Sequence, residues 1–124
     1  MKCFHGTDLE SKNSILSEGF KVLEKTNNGK HFGNGVYLTN DLEPALVYGE
    51  HIVKVEVDES LLMDIPSMEH FNQLEFTAMF HGGIEAYLKS NGFKGFKLTD
   101  VTGGLTILVY DLDIIKINQE EQTC

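Results

Sequence analysis

Two tyrosines, Tyr37 and Tyr48, stand eleven residues apart in a stretch that runs Phe32-Gly33-Asn34-Gly35-Val36-Tyr37-Leu38-Thr39 and continues through Pro44 and Ala45 to Tyr48-Gly49. Phenol rings on facing walls of one slot make a place to stack a flat heteroaromatic ring. The residues between them suit that arrangement. Gly33 and Gly35 bracket Asn34, which predicts a tight corner with positive φ ahead of the β-prone run Val36-Tyr37-Leu38. Asn40 or Asp41 fits the N-cap of a short helix, Pro44 its first turn, and Gly49 a left-handed close just after Tyr48. By itself the same pattern also describes a hairpin with packing tyrosines.

A second group of chemically capable residues opens the chain in Phe4-His5-Gly6-Thr7. Lys2 to His5 predicts a strand with the imidazole at its end. Thr7-Asp8-Leu9-Glu10 predicts a capping box, with the Thr7 hydroxyl on an orphan N–H of a helix that runs to Ser17 or Glu18. Capping competes with any ligand role for Thr7. Gly19 is the expected stop, with Phe20 packing back over the last turn. His70 and His81 have no cysteine or carboxylate at ligand spacing and read as packing or surface histidines, so no metal is expected. The two cysteines, Cys3 and Cys124, make neither a disulfide framework nor a metal site and read as free thiols.

The elements that must position these groups form one domain over residues 1–124, without internal repeats or low-complexity tracts. Residues 21–31 are polar and read as a loop that can fold over a ligand. Strands are expected at Ile52–Val57, Leu61–Ile65, Phe93–Leu98 and Leu105–Tyr110, the last apolar enough for a central position, with a final pair at Ile114-Ile115 and Ile117. Apolar spacing from Met68 to Asn91 predicts helix, broken at Gly82-Gly83, where an unbroken helix would lose about 2 kcal/mol relative to two alanines. Gly92 is its expected stop. The expected fold class is α+β, with two small, mostly antiparallel sheets meeting at a cleft between flanking helices.

A formal charge of −9 disfavours direct nucleic-acid binding, and Lys21, Lys25 and Lys30 are too few for a basic patch. A basic protein partner suits the charge, although an acidic surface also serves solubility alone. With no apolar signal segment and no run of eighteen apolar residues, the expected product is soluble, cytoplasmic, monomeric and independent of membranes.

Taken in order, Phe4-His5-Gly6-Thr7, Ile15-Leu16, Gly19-Phe20, Phe32-Gly33-Asn34-Gly35-Val36-Tyr37-Leu38-Thr39 and Ala45-x-x-Tyr48 resemble the nicotinamide-binding half of the ADP-ribosyltransferases. The nearer branch is the poly(ADP-ribose)-polymerase or diphtheria-toxin-like one. The resemblance implies an ADP-ribosyltransferase-like fold around an NAD cleft, with NAD as substrate. It implies that His5 donates a hydrogen bond to a ribose hydroxyl, that the Gly6 backbone grips the carboxamide, that Thr7 contacts the ring edge, and that Tyr37 and Tyr48 sandwich the ring. Gly35 joins them as an NAD-binding residue. His5, Tyr37 and Asp100 are the expected catalytic residues.

In polymerising members a glutamate opens the late strand; aligned on Val109-Tyr110-Asp111, its place here is Thr106, still an NAD-side position. The uncharged side chain implies a mono-transferase, or a module that binds NAD or ADP-ribose without turnover. Asp100, in the turn Lys97-Leu98-Thr99-Asp100-Val101-Thr102-Gly103-Gly104, is similar in placement to an acidic residue of small phage-encoded anti-CRISPR ADP-ribosyltransferases, which also share the look of Val55-Glu56-Val57-Asp58-Glu59-Ser60. That likeness implies a substitute acid and a phage effector acting on a host target protein. The competing reading is a turn aspartate bonded to its own backbone. A relative that acts on nucleic acid or transfers a 2′-phosphate is disfavoured by the acidity.

Overall fold

The computed structural model describes residues 1–20, 35–100 and 104–117. The expected corner at Gly33 and Asn34, the loop at 21–31, the middle of the turn after Asp100, and Cys124 lie outside the described residues. Seven strands form one sheet in the order β4-β5-β6-β2-β1-β3-β7. They are β1 Lys2–Thr7, β2 Val36–Thr39, β3 His51–Val57, β4 Leu62–Ile65, β5 Gly95–Thr99, β6 Leu105–Val109 and β7 Ile115–Ile117. Among the described residues four α-helices accompany them: α1 Leu9–Glu18, α2 Leu42–Leu46, α3 Met68–Ala78 and α4 Ile84–Ser90. All strand pairs are antiparallel except β4 with β5.

The apolar run Leu105–Val109 takes the interior position its composition predicts, between β5 and β2, with Ile107, Leu108 and Val109 buried. Alternate residues along the strands feed two cores. On one face, Cys3, Leu38, Val53, Val55 and Ile107 pack with Ile15, Leu16 and Phe20 from the α1 region. On the other, Phe96, Leu98, Leu108 and Tyr110 pack against Phe71 and Ala78 of α3 and Ile84 and Leu88 of α4. The expected break between those helices falls at Gly82 and Gly83, at φ 89° and 103°, where non-glycine residues are strained. Burial pushes the Cys3 thiol up to about 11, so the free thiol stays protonated.

Two sequence expectations change here. The two sheets are joined as one, although the junction between β4-β5-β6-β2 and β1-β3-β7 is a single residue pair, Phe4 opposite Thr39. The first helix is capped by Asp8, whose carboxylate accepts from Ser11 N–H at 2.7 Å, and not by Thr7. Pairing of Thr7 with His51 extends β1 through Thr7, so that residue belongs to the strand. Gly19 behaves as expected: it stops the helix at φ 86°, and its N–H bonds Ile15 O at 2.8 Å.

β5 and β6 approach so closely that a Cβ on Gly95 would collide with the Leu108 carbonyl and lie 2.9 Å from Leu62 Cδ2. Gly95→Ala is expected to lower stability by about 1–3 kcal/mol, read as a lower urea midpoint with an unchanged slope. A midpoint equal to wild type would refute that packing.

Candidate active site

The site is assembled by contact between two stretches of backbone. A Cβ on Gly6 would run into the Ala45 carbonyl, with Gly49 N at 3.2 Å, and a Cβ on Gly49 would run into the Thr7 backbone. Only hydrogen at both positions lets α2 and the turn after it lie directly on β1. Gly49 is therefore present for close approach and not, as its sequence position predicts, for a left-handed φ; it is absent from the positive-φ residues, and so is Gly35. A Cβ on Gly35 would lie 2.5 Å from the Val109 carbonyl, so that glycine brings the start of β2 against the end of β6.

α2 starts immediately after β2, with the Asp41 carboxylate accepting from Leu42 N–H at 2.8 Å. The helix ends at Leu46, so Tyr48 stands in the turn beyond it, 62% exposed. Seating that turn on Thr7 holds Tyr48 beside the end of β1. Tyr37, on β2, is half-buried. Burial and, to a smaller extent, the charge of a Tyr48 phenolate raise the Tyr37 phenol pKa.

Strand register defines what shares the Tyr37 face. Phe4 lies opposite Thr39, Thr39 opposite Thr106, and Thr106 opposite Leu98, while Tyr37 lies opposite Leu108. Directly paired residues project to the same side of a sheet, so Thr106 stands one pleat from Tyr37 on the same face. Thr39 is buried, with its hydroxyl donating to Asp41 O at 2.7 Å. Asn40, a candidate cap on sequence grounds, instead accepts from Leu105 N–H through its side-chain oxygen at 3.1 Å. That bond ties the β2–α2 corner to the start of β6.

His5 occupies the seam between the two parts of the sheet. Alternation along β1 sends its side chain to the face opposite Tyr37, yet its Nδ1 lies 2.9 Å from Tyr37 O. A carbonyl only accepts, so Nδ1 carries the hydrogen and the neutral ring presents Nε2 as an acceptor. In that tautomer the neutral ring offers Nε2 as an acceptor, whereas the resemblance implies a donor. Phe20 sets the ring from the other side, edge to face with centroids 5.1 Å apart. The sequence assigned Phe20 only to helix packing.

Asp100 follows β5 at the far end of the same row. Its carboxylate accepts from Gly104 N–H at 3.1 Å and its own N–H donates to Gly104 O at 2.9 Å, closing the turn into β6. This is the turn-forming use that competed with the acidic role. A groove of about 650 Å³ lined by Lys89, Phe93, Lys94 and Tyr110 opens at the end of β6 remote from Thr106 and holds none of the expected site residues. Among the described residues, no cluster of three metal-ligating side chains occurs, and no helix is long and apolar enough to cross a membrane.

Burial, opposed by the smaller effect of the Tyr37 carbonyl bond, holds the His5 imidazole below its ordinary value of 6.5. The unfolded chain then binds this proton more readily, so the His5 contribution to stability is present above the ordinary value and lost as pH falls through and below it. His5→Asn keeps a donor for Tyr37 O but cannot titrate. Its urea midpoint should fall less than that of wild type on acidification; parallel curves would refute the shift.

Residues 1–67 match the family model for the poly(ADP-ribose) polymerase catalytic domain. A stretch of 49 residues is 47% identical to the mouse (Mus musculus) and human (Homo sapiens) proteins named protein mono-ADP-ribosyltransferase PARP16, covering 39% of this chain. The matched stretch spans 14% of the length of each of those curated relatives.

Proposed function

This chain belongs to the poly(ADP-ribose) polymerase catalytic domain family, and from that premise we propose that it is a mono-ADP-ribosyltransferase acting on a protein with NAD as substrate. The observation that carries this reading is the seating of the turn that bears Tyr48 on β1, by backbone contact at Gly6 and Gly49, within the stretch that matches the family. The glycosidic bond between ribose and nicotinamide breaks, and its electron pair leaves with the ring and neutralises the pyridinium. The acceptor nucleophile bonds the anomeric carbon and gives up its proton to a base. The barrier is the positive charge that builds on the sugar, as in glycoside hydrolysis.

Each residue then has a definite task. Tyr37 and Tyr48 hold the leaving ring between their faces. Register between β1 and β2 stops at Phe4, so Gly6 and Thr7 lie outside that ladder and meet the ligand edge. Neutral His5, with Nδ1–H committed to Tyr37 O, accepts a ribose hydroxyl at Nε2. Thr106 lines the Tyr37 face without supplying charge, which suits a single transfer more than chain elongation. Asp100 is the candidate acid in the turn before β6, and a role in turnover requires one carboxylate oxygen to serve the sugar while the other keeps Gly104. A phage effector acting on a host defence protein is the version of this reading that rests on the likeness to anti-CRISPR transferases alone.

A second reading, an NAD or ADP-ribose receptor without turnover, is favoured by uncharged Thr106 and by the turn bond of Asp100. Nicotinamide release and intact mass of candidate targets separate the two. A transferase releases nicotinamide and adds the mass of one ADP-ribose to its target, while Tyr37→Ala loses about a hundredfold in rate through misplaced substrate. Asp100→Asn preserves an oxygen for Gly104 and removes only the charge, so full activity in that variant would exclude Asp100 as the acid. NAD binding with no nicotinamide released would leave the receptor reading.

A further inference from the structure

Away from the tyrosine site, the exposed side of α3 and the turn that follows it carries large apolar side chains. Phe76 is 64%, Met79 68% and Phe80 74% exposed, and Met68 extends the same helical stripe two turns earlier. The Phe76 and Phe80 rings meet edge to face with centroids 5.6 Å apart, so they form one ridge and not two isolated side chains. The opposite side of the helix is spent on the core through Phe71 and Ala78. This ridge therefore adds nothing to the fold that burial would reward, and aromatic and methionine side chains in this setting are the composition of interface centres.

Charge identifies what fits over it. The chain has nineteen acidic and ten basic residues, yet residues 35–88 hold ten of the acidic residues and a single basic one, Lys54, which accounts for the whole net charge of −9. α3 and the following turn lie within that span: Glu69 and Glu75 flank the stripe, and residues 68–81 contain no lysine or arginine. A partner that covers the phenylalanines must bring positive charge to this rim or leave carboxylates facing its own like charges.

We propose that the Phe76–Met79–Phe80 ridge is a docking surface for a cationic segment of a protein partner whose apolar face covers the rings. Binding there requires no NAD, so loss of this surface and loss of transferase activity are separable outcomes.

The probe is a synthetic leucine–lysine peptide with leucines at helical spacing, compared with a leucine–glutamate peptide of the same pattern, by calorimetry on the full chain. Wild type is expected to bind the lysine peptide, more weakly as salt rises, and to ignore the glutamate peptide. Phe76→Ser with Phe80→Ser should weaken binding by about tenfold or more, the loss typical of a central interface aromatic. Because both side chains are exposed, the fold should be retained, which circular dichroism checks. Glu69→Lys with Glu75→Lys keeps the rings and should transfer the preference to the glutamate peptide. Unchanged binding in the serine variant overturns the proposal. So does a wild-type dimer that the serine variant abolishes, which would assign the ridge to a second copy, or preferential binding to neutral phosphatidylcholine vesicles, which would assign it to a lipid surface.

Discussion

The arrangement of this domain depends on two missing methyl groups. Gly6 and Gly49 let a strand and the turn after a five-residue helix touch backbone to backbone. Packed layers are ordinarily held apart by their side chains, by about 10 Å between stacked sheets. Direct contact brings α2 much nearer, and through it Tyr48, to the strand that bears His5 and Thr7. Tyr37 arrives from the other direction, on a β2 whose start is fixed to β6 by the similar closeness at Gly35. The turn that bears Tyr48 is thus located by main chain, and Tyr37 rides on a strand whose start is fixed in the same way.

The single residue pair that links β1 to β2 gives the sheet a weak line just where the candidate site lies. Across that line the His5 side chain replaces backbone pairing by bonding the Tyr37 carbonyl. A half-buried imidazole in this position joins two functions. It closes the seam, and because that closure consumes Nδ1–H, it also fixes which ring atom is left for a ligand. Replacing His5 therefore disturbs fold and site together, whereas Tyr48, largely exposed, contributes little to the fold.

Much of the frame was legible in the chain itself. The period-two run at β3, the apolar β6 and the paired glycines between α3 and α4 announce themselves because each reflects a local rule. The tyrosine pair and His5 stood out through the family resemblance of their motifs, since their spacing alone also describes a hairpin with packing tyrosines. What escaped depended on partners distant in sequence. Thr7 looked like a cap because nothing local shows that His51 will pair with it. Gly49 and Gly35 looked like φ > 0 positions because proximity to another backbone leaves no mark on the neighbouring residues. Joining of the strands in one sheet rests on Phe4 and Thr39 alone, a contact no periodicity encodes.

The strand order carries one more implication. The part of the chain that matches the family, residues 1–67, contains β2 but not β6, and β2 pairs along its whole length only with β6. β4, also within that part, pairs with β5 beyond it. The segment that evolution makes recognisable is accordingly not one that can fold alone. The growing polypeptide must hold β2 uncommitted on that side until residues 105–109 have been synthesised, a late closure of distant partners that places the fold among the slower ones for its size.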